Sequence, residues 1–168
     1  RTIHEAGHKL LELVNNVLDV ARLEPDQLQL SVDRIELDQL LDTCIRQNTF
    51  AASTHDITLD RLPIGDAKPG KASPRIRVLG DQGRLAQAIN HLVSNAIKFG
   101  RRSGMVALGA TVRKTGELVI TVEDDGIGIP EADLERVFEP FIQIDQRLER
   151  HFAGAGLGLY VSRTLIEA

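Results

Sequence analysis

The chain has 168 residues, 42% of them hydrophobic and 26% charged, with a formal net charge of −4. That length allows one domain with a real core, with or without an appendage, and the acidic balance argues against a nucleic-acid surface, which carries a basic excess. A single cysteine, Cys44, excludes an intramolecular disulfide and a cysteine metal cluster, the five histidines show no zinc-site spacing, and no apolar run approaches the roughly 18 residues that span a bilayer.

From Ile3 the small and apolar residues recur at Gly7, Leu10, Val14, Val17 and Ala21, with Ala6, Leu13 and Val20 widening the stripe. This is the seam of an amphipathic helix that packs in a bundle, with Pro25 marking its end. The pattern is already running at Arg1, so the segment is expected to be cut from a longer protein. Leu28 to Val32 alternates like a strand. Helical periodicity resumes over Leu37 to Ala52, where Leu37, Leu40, Leu41, Cys44 and Ile45 form the apolar stripe and Cys44 is a small buried residue. Ile57 to Leu59 reads as a short strand. Leu62 to Pro74, with three prolines and two glycines, reads as a surface loop, and Ile76 to Leu79 as a strand.

Asp81 is placed to cap a helix whose buried stripe is Leu85, Ala88, Ile89, Leu92, Val93 and Ala96. The same helix carries His91, Asn95 and Lys98 at steps of four and three, so they project from one face, with Ala96 and Phe99 beside them. Met105 to Val112 and Leu118 to Glu123 predict an antiparallel hairpin through Arg113 to Gly116. The strand runs into TVEDDGIGIP (121–130), where Asp124 stands at the strand end and Gly126 and Gly128 allow a close approach to the backbone. Read alone, this stretch is equally a hairpin turn. Glu131 to Val137 reads as a short helix with Pro130 at its start. FEPF (138–141) and a polar stretch then lead to GAGLGL (154–159), whose glycines run into a helix over Leu159 to Ile166. A glycine turn feeding a helix N-terminus offers free N–H groups and partial positive charge to a phosphate, or serves only as a tight packing turn.

In order, then, the chain offers an Asn and a cation on a helix, a carboxylate–glycine turn after a strand, and a glycine loop before a helix. A nucleotide needs these three: an oxygen for Mg²⁺ with a cation for phosphate, an acceptor for an exocyclic amine, and N–H groups for the polyphosphate. HLVSNAIKF (91–99), DDGIGIP (124–130), FEPF and GAGLGL resemble the four nucleotide-binding boxes of sensor histidine kinases, in the GHKL superfamily with gyrase, Hsp90 and MutL. AGHKLLELVNNVLDVARLE (6–24) resembles the second helix of that family's dimerisation bundle, so the likeness covers essentially the whole chain.

The resemblance implies a two-layer α/β sandwich of the GHKL type, a mixed sheet with helices on one face, preceded by one amphipathic helix. It implies a bundle helix over 1–25 and an ATP-binding catalytic domain over 26–168 that ends before its last strands. Asn95 would hold Mg²⁺ and Lys98 would approach the phosphates of ATP, with His91 beside them. Phe99, Asp124, Gly126, Gly128 and Ile129 would form the adenine pocket, Asp124 accepting from the adenine amine and Asp125 remaining a solvated bystander. Phe138 and Phe141 would anchor a lid that Gly154, Gly156, Leu157 and Gly158 hinge and wrap on the phosphates, with Arg150 as a γ-phosphate contact. The implied partners are a response-regulator receiver domain and a second copy of the chain through the bundle. No membrane contact is expected of this segment, which would be cytoplasmic whether or not the whole protein is anchored. Two departures stand out: His91 occupies a position that is commonly Asn, and Ala153 one that is commonly Gly. His4 and His8 read as bundle-surface residues, and the family's phosphoacceptor histidine is expected upstream of Arg1. The rivals are a catalytically degenerate interaction scaffold and an ATPase clamp.

Overall fold

In the computed structural model, the residues described are 29–65, 75–144 and 156–168. The bundle helix expected over 1–25 lies outside them. They belong to two compact units, one from Leu30 to Gly128 and the other including Ile129 to Ala168.

The first unit is built on a three-stranded mixed sheet. Its central strand β4 (Met105–Val112) pairs in parallel with β2 (Thr58–Ile64) and antiparallel with β5 (Leu118–Asp124). A separate antiparallel pair joins β1 (Asp33–Glu36) to β3 (Arg77–Gly80). Two helices, α1 (Leu37–Thr54) and α2 (Gln82–Phe99), supply the other layer. Side chains alternate across a strand, so Val106, Leu108 and Ala110 of β4 share the face that meets Leu40, Leu41 and Cys44 of α1 and Ile89, Val93 and Ile97 of α2 in one core. Burial pushes the Cys44 thiol up to about 11, which leaves it an inert packing group. Among the described residues no helix is long and apolar enough to cross a membrane.

Two polar sets orient α1, and neither is visible in the apolar periodicity. Arg61 of β2 reaches Asp38 at 2.9 Å and Asp42 at 3.4 Å, two carboxylates one turn apart. Buried Asn48 donates to the Cys44 carbonyl and to Asn90 Oδ1, both at 2.8 Å, and Asn90 donates to Gln47 at 2.7 Å. The second set locks α1 to α2 one residue before His91.

The Asp81 carboxylate caps α2 by accepting the Arg84 N–H at 3.0 Å, and its other oxygen takes the Ser31 N–H at 2.9 Å. These donors hold its pKa below the ordinary value. A depressed carboxylate stabilises the fold above its unfolded pKa of about 4 and loses that contribution as pH falls through the folded value. Asp81→Ala is therefore expected to lower stability by about 1 kcal/mol at pH 7, a difference that shrinks on acidification in urea unfolding.

Several expectations are corrected. Gln29 to Val32 are exposed and outside any strand; β1 starts at Asp33, because it is Asp33–Glu36 that pairs with β3. The alternation of Leu30 and Val32 marks no buried face, since they are 37% and 59% exposed. β2 extends through Pro63, which an edge strand tolerates at the register shift between Arg61 and Ile64. The stretch from Glu131 to Val137 is two 3₁₀ turns, Glu131–Asp133 and Arg136–Phe138, in which Val137 alone is buried. By contrast, α2 with its Asp81 cap and the β4–β5 hairpin stand as expected.

In the second unit the 3₁₀ turns lead to α3 (Gly158–Glu167), which buries Val161, Ser162 and Leu165.

Candidate functional site

Helix α2 positions the polar group. His91, Asn95 and Lys98 lie in its last three turns, each partly exposed, while Val93, Ala96 and Ile97 between them are buried. The buried stripe fixes the rotation of the helix, so the polar face follows from the packing. Lys98 Nζ lies 5.0 Å from the centroid of the Phe99 ring, within cation–π range.

The turn after β5 meets the end of this helix. The Ile127 N–H donates to the Phe99 carbonyl at 3.2 Å, stitching the turn to the last residue of α2. Asp124, the exposed last residue of β5, accepts the Gly126 N–H on Oδ1 at 2.9 Å. That bond uses one carboxylate oxygen and leaves Oδ2 as an acceptor for a ligand. A Cβ on Gly126 would come within 2.6 Å of the Phe99 carbonyl oxygen and 2.7 Å of Asp124 Oδ1, so no side chain fits there without movement. Gly128 has φ +71°, a conformation that glycine adopts at no steric cost. The structure thus joins Phe99, at the end of α2, to the turn that carries Asp124, Gly126 and Gly128, while His91, Asn95 and Lys98 lie along the same helix.

Asp125 is not a bystander. Its Oδ1 accepts the Met105 N–H at 3.0 Å, across the start of β4. The signal was present in the hairpin register: Val106 pairs with Asp124, so one step further Met105 faces Asp125.

The second unit holds the remaining expected residues. Ile129 begins it, 45% exposed. Phe141 stands at φ +65° with its ring 63% exposed, and its N–H donates to the Gly156 carbonyl at 3.0 Å. Gly156 is itself at φ +67°, and a Cβ on it would lie 2.8 Å from the Ile142 carbonyl oxygen. FEPF therefore meets the glycine turn through backbone at Phe141, while Phe138 meets α3 through its ring, 5.7 Å from the Arg163 guanidinium. Leu157 is buried and gives α3 no side-chain cap, and Gly158 opens the helix. Arg150 and Gly154 lie outside the described residues.

Among the described residues no group of three or more His, Cys, Asp or Glu is placed to hold a metal ion. Asn95 is partly exposed on α2 and carries a side-chain amide oxygen.

A mixed sheet with helices and a carboxylate–glycine turn stitched to an Asn–Lys helix define a nucleotide-binding class of protein. Residues 80–168 match the family of histidine kinase-, DNA gyrase B- and HSP90-like ATPases, and the chain belongs to that family. Within it, the chain is 36% identical over 166 residues to the circadian input-output histidine kinase CikA of Thermosynechococcus vestitus, covering 98% of this chain and 22% of that protein. It is 33% identical over 176 residues to hybrid signal transduction histidine kinase A of Dictyostelium discoideum, covering 99% of this chain and 8% of that protein. Among solved structures it resembles full-length ShkA in complex with AMPPNP, with a TM-score of 0.79 and 31% identity over 98% of this chain and 32% of that one. The histidine kinase ThkA in complex with the response regulator TrrA shares the fold, with a TM-score of 0.70 and 21% identity over 99% of this chain and 42% of that one.

Proposed function

We propose that the chain binds Mg-ATP as the catalytic part of a sensor histidine kinase, which transfers the γ-phosphoryl group to a histidine for relay to a response-regulator aspartate. The observation that supports this reading is the Ile127–Phe99 bond, which joins the Asp124 turn to the end of the helix that carries Asn95 and Lys98. Asp124 accepts from the adenine amine, with Phe99, Gly126, Gly128 and Ile129 shaping the pocket around the base. Lys98 draws the phosphates by charge, and Asn95 holds Mg²⁺ with His91 alongside. Bound Mg²⁺ neutralises charge on the transferring phosphoryl group, while the residues of the chain position it. By the family resemblance, Gly154, Gly156, Leu157 and Gly158 would wrap the polyphosphate, Phe138 and Phe141 would anchor that segment, and Arg150 would contact the γ-phosphate. The relatives named as histidine kinases support the reaction, and the ThkA–TrrA complex supports a receiver-domain partner. Assembly as a homodimer through residues 1–25 and a cytoplasmic position belong to the same proposal.

Asp124→Asn tests it. The amide still accepts from Gly126 but can turn its NH₂ toward the adenine amine, donor against donor. A charged hydrogen bond contributes about 1.5–3 kcal/mol, so ATP affinity is expected to fall roughly ten- to a hundredfold by calorimetric titration. Unchanged affinity sinks the adenine assignment.

A further inference from the structure

Asp124 can read a base only if the turn that carries it is held still, and it lies at the open end of a hairpin, where its pairing with Val106 is the last of the register. Beyond that pair the two chains are joined by a side chain. Asp125 Oδ1 takes the Met105 N–H at 3.0 Å and so continues the ladder one residue past its end. The other side of this contact is equally close. A Cβ on Gly104 would stand 2.5 Å from Asp125 Oδ1 and 2.7 Å from the Arg101 carbonyl oxygen, so the carboxylate occupies space that only glycine leaves open. Gly104 is itself buried and anchored, donating to Arg101 at 2.9 Å and accepting from Thr58 of β2 at 2.9 Å. The Asp125 carboxylate thus rests on a fixed point of the sheet. Asp124 stands between two restraints, the Gly126 N–H on its own oxygen and the Asp125 bridge to β4.

We propose that Asp125 is a positioning residue for the nucleotide site: its bond to the Met105 N–H, in the space left by Gly104, fixes the backbone that aims Asp124 at the adenine amine. The inference rests on the adenine contact proposed for Asp124. The role needs an acceptor oxygen and not a charge, so Asn serves in place of Asp and Ala does not.

A double-mutant cycle read by calorimetric titration with Mg-ATP tests it, with thermal unfolding run on each variant. Asp125→Ala is expected to weaken ATP binding about tenfold and Asp125→Asn less than about twofold. In the Asp124→Asn background, where the reader is already disabled, Asp125→Ala is expected to add less than about twofold. Gly104→Ala, whose methyl would displace the carboxylate and also press on the Arg101 carbonyl, is expected to repeat the Asp125→Ala loss. If either variant does not fold, the comparison of Asp125→Asn with the unaltered chain keeps the test decisive, a loss of about tenfold or more in Asp125→Asn overturning the inference. The inference is overturned if Asp125→Ala binds like the unaltered chain, if its loss persists undiminished beside Asp124→Asn, or if Asp125→Asn is as weak as Asp125→Ala. A loss with Asp124→Asn but none with Asp125→Ala overturns this inference alone, whereas no loss with Asp124→Asn overturns the adenine contact as well.

Discussion

Asn95→Ala is expected to remove the Mg²⁺ dependence of ATP binding and to lower phosphotransfer by about 10²–10³-fold, the usual cost of deleting one group that stabilises charge in a transition state. The geometry makes this a clean deletion. Asn95 is partly exposed on a helix whose stripe of Ala88, Ile89, Val93, Ala96 and Ile97 is buried on other residues, and alanine is the best helix former, so α2 keeps its place. The lost group is then one side-chain oxygen. Binding is read by titration with ATP in the presence and absence of Mg²⁺. Phosphotransfer is read in a protein that carries an acceptor histidine, as acid-labile label from γ-labelled ATP retained on the chain. Retention of both properties contradicts the ligand role. Label released as free phosphate by the unaltered protein, with none held as phosphohistidine, favours an ATPase clamp, and binding with neither outcome favours a scaffold.

Gly126→Ala is expected to cost about a hundredfold in ATP affinity, because a displacement on the order of 1 Å at a positioned site carries that penalty. The added methyl would lie 2.6 Å from the Phe99 carbonyl oxygen and 2.7 Å from Asp124 Oδ1. The Phe99 oxygen belongs to the end of a packed helix and yields little, so the turn moves away and takes Asp124 with it. The Ile127–Phe99 bond and the Gly126–Asp124 bond are both lost in that movement. Overpacking is expected to lower stability by about 1–3 kcal/mol as well, an effect comparable to the loss of binding. Wild-type affinity in this variant, by the same titration, shows that the turn does not form the base pocket.

Local patterns carried most of what the sequence made legible. Asp81 capping α2, the stripe from Leu85 to Ala96 and the β4–β5 hairpin all depend on residues within a few positions of one another; the cap and the hairpin stand, and of the stripe Ala88, Ile89, Val93 and Ala96 are buried while Leu85 and Leu92 are partly exposed. The residues that the reading missed act over longer separations. Asp125 bonds to a residue 20 positions away, Asn48 to one 42 away, and Arg61 to one 23 away. Periodicity sees none of these; extension of the hairpin register by one step finds only the first. The strand expected at LQLSV has the opposite origin: the residues alternate, but Leu30 and Val32 face solvent, and pairing begins only at Asp33, where β3 supplies a partner. Among the candidate site residues, periodicity placed His91, Asn95 and Lys98 on one helix face. The joining of this helix to the Asp124 turn at Phe99 and Ile127 is a tertiary contact that the spacing of motifs could imply only through family resemblance.

In the proposed function Asp124 reads an adenine amine at the end of β5. Titration of the unaltered chain with ATP and with inosine triphosphate tests it most directly, since inosine carries a carbonyl oxygen where adenine carries the amine and the two ligands share the same phosphates. A carboxylate that accepts from the amine faces an acceptor in the second ligand. ATP is expected to bind at least about tenfold more tightly than inosine triphosphate in the presence of Mg²⁺, and the gap is expected to close in Asp124→Asn. Equal affinity of the unaltered chain for the two nucleotides would contradict the account.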